Sequence, residues 1–107
     1  VKQIVDEYAY FVSALAAVPE GDKRLLDNVA LLATSDCSFG AEHDILEYPI
    51  LVAGSAGGAL VTGQHIRAEG EVASKVCFSL LRAIGASVQA FGVNEARAST
   101  GLSGFEV

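Results

Sequence analysis

The sequence contains no methionine and no tryptophan, and it has only two cysteines and two prolines. Because translation starts with methionine, a chain that begins at Val1 and lacks methionine is predicted to be a processed or excised piece, so that any signal peptide or upstream domain lies outside it. Cys37 and Cys77 show neither a CxxC spacing nor a dense cysteine framework, which predicts two free thiols. No hydrophobic run approaches the roughly 18 residues of a bilayer-spanning helix, so the sequence predicts no membrane span.

Basic residues are also scarce. Seven Lys and Arg stand against thirteen Asp and Glu, and the formal net charge is -6. Seven dispersed cations form no basic patch, which argues against nucleic acid as a partner. By contrast, 51% of the residues are hydrophobic and only 19% are charged. For 107 residues, which form one domain or part of one, this predicts that some apolar surface meets another domain or a second copy of the chain.

Two segments repeat apolar residues at three- and four-residue steps, which predicts amphipathic helices over residues 1–18 and 72–84. The first is expected to cover a sheet and to end before Pro19, which cannot continue the helical hydrogen-bond ladder. The second is expected to stop at Gly85, in a left-handed cap. Its predicted apolar stripe includes Val72, Val76, Leu80 and Ile84, and its predicted water-facing residues are Lys75, Ser79 and Arg82.

Residues 28–54 are predicted to form a strand, a loop and a second strand. The apolar runs Val29–Thr34 and Ile50–Ala53 are short enough for buried strands. The loop between them, residues 35–48, is longer than most connections in α/β domains, which favours a functional role. Residues 19–28 are expected to form a loop and residues 93–107 an irregular tail. The predicted fold is α/β, with a short and mostly parallel sheet flanked by two helices.

The long loop carries the residues with the clearest chemistry. In α/β domains, ligands gather beyond the carboxyl ends of buried strands, which is where Asp36 is predicted to lie. We therefore consider Asp36 a candidate metal ligand, with His43 as its partner and Glu42 or Asp44 orienting the imidazole. The alternatives are a turn-capping Asp36 and an exposed loop His43.

Two further residues and one glycine-rich segment were considered. His65 is a possible third ligand, although a histidine on an extended segment is more often hydrogen-bonded structure. Arg67 could bind an anion, but an exposed ion pair with Glu69 or Glu71 is the simpler interpretation. The glycine-rich segment 54–63 has neither phosphate-loop nor dinucleotide spacing. No serine–histidine–acid order or paired carboxylate stands out, so no catalytic residue is assigned.

Several segments resemble one family, in order and at similar spacing: GDKRLLDNVALLATSD, EYPILVAGSAGGALVTGQHIR, SLLRAIGASVQAFG and TGLSG. They look like the carboxyl-terminal part of uncharacterised bacterial proteins named after an upstream HxxSHH motif, which are placed in the alkaline phosphatase-like superfamily of metal hydrolases. The resemblance implies a partial three-layer α/β sandwich from an exported protein.

In that superfamily a strand-ending Ser-Asp step and a later loop histidine supply metal ligands. Ser35-Asp36 matches the step and His43 is similar to the histidine, whereas Cys37 stands where a second ligand is expected and departs from the pattern. The resemblance implies a divalent metal such as zinc in the parent protein. The family's nucleophile and remaining ligands belong to an amino-terminal part that these residues do not contain, so the chain alone is expected to be inactive.

The sequence thus leaves three hypotheses open. The first is the carboxyl-terminal portion of an alkaline phosphatase-like metal-hydrolase-related protein, whose partner is the missing amino-terminal part. The second is a non-catalytic structural or self-association module, which forms a homo-oligomer. The third is a small stand-alone domain that binds an anion at the loop 54–63, against which the shortage of basic residues counts.

Overall fold

A computed structural model describes residues 1–107, and it is a mixed α/β fold. Its dimensions are 43 × 35 × 20 Å, so the molecule is a slab rather than a sphere. The elements in chain order are α1 Lys2–Ala16, β1 Pro19–Glu20, β2 Lys23–Arg24, α2 Leu25–Asn28, β3 Leu31–Thr34, β4 Ile50–Ala53 and α3 Ser74–Ala83, with 3-10 turns at Ala56–Gly58 and Asn94–Ala96. No helix reaches the length and hydropathy that a bilayer crossing requires.

Helix α1 occupies the predicted segment and ends three residues before Pro19. It reaches the larger sheet through Tyr8, whose hydroxyl donates to the Leu31 carbonyl at 3.0 Å, and the partial burial of this ring raises the pKa of the Tyr8 phenol. The rest of its apolar stripe is poorly covered, with Ile4 74% and Phe11 49% exposed. The helix therefore contacts a sheet as expected, but it leaves most of its apolar face in solvent.

The prediction of a loop over residues 19–28 was wrong. Strands β1 and β2 pair in a small antiparallel hairpin, with Pro19 opposite Arg24. The short helix α2 follows because the Asp27 carboxylate accepts hydrogen bonds from the backbone N–H and the guanidinium of Arg24, which closes the first turn. An acid at this position supplies the acceptor that the orphan N–H groups of a helix start need.

The same interaction makes the stability of this corner depend on pH. Hydrogen bonds from the Arg24 side chain and backbone lower the pKa of the Asp27 carboxyl from 3.8 to about 2. Since the folded-state pKa is depressed, the contribution to stability is present above about pH 4 and is lost as the pH falls towards 2. We expect Asp27→Asn to remove this part of the acid dependence. The check is an NMR titration of the Asp27 carboxyl together with urea unfolding between pH 2 and 5. An Asp27 midpoint near 4 would contradict the interaction.

Strands β3 and β4 confirm the prediction of a strand, a loop and a second strand, but their relative orientation differs from the predicted one. They pair antiparallel, with Leu31 opposite Ala53 and Thr34 opposite Ile50. Both sheets have two antiparallel strands, so the prediction of a mostly parallel sheet was wrong. Two separate two-stranded sheets also do not form the partial three-layer sandwich that the resemblance implies. A parallel pair needs a crossover, usually a helix, whereas residues 35–49 fold back on themselves through a bridge between Phe39 and Asp44. The long loop is consequently the connection of a hairpin.

Helix α3 lies within the predicted segment and ends as expected. Gly85 has φ +85° and donates its N–H to the Arg82 carbonyl, and Ala86 donates to the Leu81 carbonyl, both at 2.9 Å. These two bonds form a Schellman cap, which only a residue tolerant of positive φ can close without strain. The predicted faces are partly wrong, because Ile84 is 63% exposed while Ser79 is fully buried.

The core is small. Leu60, Val76 and Phe105 form its buried centre, and half-buried side chains from β4, α3 and the tail pack around it. Only 6 of the 107 residues are buried, which leaves much apolar surface in contact with solvent. The tail 93–107 has no strand and only one 3-10 turn, as predicted, yet it supplies Phe105 to the core and bonds to the chain near Leu60.

Candidate functional site

The first candidate ligands lie at the start of the long loop, directly after β3. Asp36 is exposed, and its Oδ1 accepts from the Ser35 hydroxyl at 3.3 Å and from the Cys37 thiol at 3.6 Å. A serine that donates to the following carboxylate holds that side chain in a local turn. The loop therefore places an exposed oxygen donor beside a half-buried sulfur donor.

The far side of the loop is organised by Asp44. The Ser38 N–H donates to the Asp44 carbonyl at 2.9 Å, while the Asp44 carboxylate accepts from the Ser38 hydroxyl at 2.6 Å and from the Leu46 N–H at 3.2 Å. These bonds fix the tip of the loop. The Asp44 carboxylate is thus engaged in the turn. It does not bond to His43, although the sequence had suggested that it could orient the imidazole.

His43 itself is exposed at the loop tip and has φ +53°, in the left-handed region that non-glycine residues seldom adopt. No three of the His, Cys, Asp and Glu side chains come together in a way that could hold a metal ion. Asp36 and His43 could therefore complete a metal site only with donors from another polypeptide.

Carboxylate oxygen and cysteine sulfur are both atom types that zinc accepts as ligands. The 3.6 Å between them here is the length of the hydrogen bond from the Cys37 thiol to Asp36. Desolvation, together with the Asp36 carboxylate, raises the pKa of the Cys37 thiol. A thiol must lose its proton to ligate a metal, so Cys37 is the less ready of the two donors at neutral pH.

His65 lies elsewhere, in an open groove of about 1110 Å³. One wall of this groove is the segment Leu46–Val52 and the other is the segment Val61–Ala73, with Val76, Leu102 and Phe105 between them. Neither Asp36 nor His43 lines it. The candidate ligands are therefore divided between the hairpin loop and the groove.

Arg67 also lines the groove, and its charge is already paired. Its guanidinium lies 2.6 Å from the Glu47 carboxylate and 3.2 Å from that of Glu69. The simpler interpretation, an exposed ion pair, is confirmed for Glu69, whereas Glu71 pairs with Lys75 instead. An arginine held by two carboxylates has little charge left to attract an anionic ligand.

A partly buried polar cluster between α3 and the tail was not predicted from the sequence. The Ser79 hydroxyl donates to Glu106 Oε1 at 2.6 Å and accepts from the Leu102 N–H at 3.0 Å, and Arg82 lies 3.2 Å from the other carboxylate oxygen. Every polar side-chain atom buried here has a partner. Because Ser79 is fully enclosed, it cannot meet a substrate, so the cluster fastens the tail to the helix.

Comparisons do not extend this picture, because the chain matches no protein-family model, no curated protein and no solved structure.

Proposed function

We propose that this chain is the carboxyl-terminal portion of an alkaline phosphatase-like, metal-hydrolase-related protein. In this proposal Asp36 and His43 form part of the wall of a metal-centred pocket, and the remaining donors and the nucleophile come from the rest of the protein. The observation that carries the proposal is the position of Asp36, whose exposed carboxylate follows directly after β3 and is held by the Ser35 hydroxyl at 3.3 Å. The resemblance of the sequence to the HxxSHH family implies that the parent protein is exported.

The chemistry assigned to this chain is limited to holding the metal. Asp36 would supply a hard anionic oxygen, which the Ser35 hydroxyl orients, and His43 would supply a neutral imidazole nitrogen. Zinc or a similar divalent ion, when bound, polarises an ester oxygen and stabilises the charge that develops on the transferred phosphoryl or sulfuryl group. With no nucleophile assigned in these residues, the chain alone is expected to be inactive.

The burial pattern supports the view that this is part of a larger fold. A 107-residue domain normally encloses a continuous core, whereas here 6 residues are buried. Large apolar side chains such as Ile4, Tyr10 and Leu46, each 74% exposed, lie on different parts of the surface. A second polypeptide segment that covers these faces would complete the core.

Calorimetric titration of the longer protein with zinc tests the metal site. We expect Asp36→Ala and His43→Ala each to weaken zinc affinity by about tenfold or more, because each removes a ligand. Asp22→Ala changes an exposed acid in the β1–β2 hairpin and is the matched control, for which no change is expected. Unchanged affinity in both loop variants would remove the site assignment.

A non-catalytic self-association module is the second candidate, and the uncovered face of α1 favours it. Ile4, Val5 and Phe11 are 74%, 45% and 49% exposed; the first two lie on one turn of the helix and Phe11 lies about two turns later. An apolar stripe of this kind is typical of helices that pack against a second copy. Sedimentation of the chain distinguishes the two candidates. A dimer that Phe11→Ser dissociates supports self-association, and a monomer at all concentrations excludes it.

A further inference from the structure

The groove beside β4 lies where a further strand of the sheet would pair. All seven consecutive residues of Leu46–Val52 line the groove, including Ile50, Leu51 and Val52 of β4. Successive side chains of a strand point to opposite faces, so a groove along one face would be lined by alternate residues only. The groove therefore follows the edge of β4 that faces away from β3.

This edge has unpaired backbone groups. Strand β4 forms its ladder with β3 alone, and none of the backbone hydrogen bonds outside the helices and strands involves residues 50–53. In an antiparallel pair the N–H and C=O groups of alternate residues point away from the partner strand. About half of the polar backbone groups of β4 are thus directed into the groove without a backbone partner, as on any open edge.

The opposite wall is unpaired as well. Residues 62–67 form no backbone–backbone hydrogen bond, although the Gln64 amide donates to the Gly104 carbonyl at 2.9 Å and the Arg67 guanidinium donates to Glu47 at 2.6 Å. At one end the Val61 N–H donates to the Phe105 carbonyl at 2.9 Å, and at the other the Glu71 N–H donates to the Ala68 carbonyl. An extended segment placed between the two walls could bond to both, as a central strand does in a sheet.

The floor and rim restrict the chemistry of the occupant. The floor consists of Val76, Leu102 and Phe105, so side chains on one face of an inserted strand would pack directly on the core. The rim carries Glu47, Glu69 and Glu71, which pair with the two cations Arg67 and Lys75, so the rim is net acidic by one charge. A second copy of this chain would bring a like rim and a net charge of -6 to the same place, which disfavours it as the occupant.

We propose that the groove between β4 and residues 62–67 receives an extended strand that is apolar at alternate positions and carries a basic residue at its end. Because the strand would become part of the core, we assign it to the remainder of the larger protein, and this assignment of its source rests on the function proposed above. The strand would convert the β3–β4 pair into a sheet of at least three strands. It involves neither Asp36 nor His43, so it is independent of the metal site.

Synthetic peptides added to the unmodified chain test the groove. The first probe alternates valine and threonine over seven residues with a lysine at each end. The second replaces both lysines by glutamate. The third keeps the lysines and carries N-methyl groups on alternate residues, which removes backbone donors while it leaves the side chains unchanged.

Titration followed by NMR is expected to show the lysine peptide binding, with shifts confined to β4 and residues 61–73. The N-methylated peptide is expected to bind about tenfold more weakly or worse, since it loses several hydrogen bonds. The glutamate peptide is expected to bind more weakly than the lysine peptide. The double variant Glu47→Gln, Glu69→Gln is expected to reduce the difference in affinity between these two peptides. Absence of binding, equal binding of the parent and N-methylated peptides, or a dimer interface along β4 would overturn the proposal. None of these results alters the zinc titration, so the two proposals fail separately.

Discussion

Gly54→Ala is expected to lower the free energy of unfolding by about 3 kcal/mol or more. The loss is large because the added methyl group would meet backbone atoms, which cannot move aside as a flexible side chain can. Gly54 follows β4 with φ +87°, and an alanine Cβ at this position would overlap the Val29 carbonyl oxygen and lie 2.7 Å from that of Leu26. Both are backbone atoms of the segment Leu26–Val29, which comprises most of α2 and the start of its connection to β3. The chain therefore has to separate this segment from the end of β4.

Gly57→Ala is the matched control for the backbone conformation. Gly57 has a similar φ of +75°, but no atom lies within 4 Å of its Cβ position. It should show only the cost of placing alanine in the left-handed region, about 1 kcal/mol. Urea unfolding of both variants gives the difference. Equal losses would show that close packing at Gly54 contributes nothing.

Gly101→Ala is expected to detach the tail from α3 and to cost about 2–3 kcal/mol, the range typical of a broken buried polar network. The added Cβ would overlap Glu106 Oε1 and lie 2.5 Å from the Ser79 hydroxyl. It would separate these two groups, whose bond is 2.6 Å long. Because Ser79 is fully buried, its hydroxyl cannot find water in exchange.

Two comparisons isolate this effect. Gly40→Ala has no neighbour within 4 Å and no positive φ, so its stability should stay within about 0.5 kcal/mol of the wild type. In a Glu106→Ala background the carboxylate that the added Cβ would overlap is absent. Gly101→Ala should then lower the free energy of unfolding by less than it does in the wild type, and a double-mutant cycle measures this coupling. Additive losses would contradict the role of Glu106 in the cluster.

Sequence patterns predicted the elements whose causes are local. The stop of α3 depends on Gly85 alone, and the strand Ile50–Ala53 depends on a short apolar run after Pro49. The orientation of β4 relative to β3 was not predictable in the same way, because buried parallel and antiparallel strands have similar composition. What decides it is whether the connection crosses over, and the bonds between Ser38 and Asp44 that close the loop were not visible in the sequence.

The residues of the candidate site show the same distinction between local and tertiary causes. The proximity of Asp36 and Cys37 follows from their adjacency in the sequence, so no fold was needed to predict it. The location of His65 in the groove and the burial of Ser79 both depend on tertiary contacts. Ser79 meets Glu106 27 residues further along the chain, and no periodicity within α3 could indicate that a hydroxyl is needed on that face. The helical pattern therefore assigned Ser79 to water.

Hydrogen exchange followed by NMR, on this chain alone and within the longer protein that we propose, tests most directly whether the fold is completed by another polypeptide segment. In the isolated chain, alternate amides of β4 and the amides of residues 62–67 should exchange rapidly, because they have no backbone partner. In the longer protein the same amides should exchange at least about tenfold more slowly, while the amides within α3 change little. Identical protection of β4 and of residues 62–67 in both proteins would contradict the claim that this chain is one part of a larger fold.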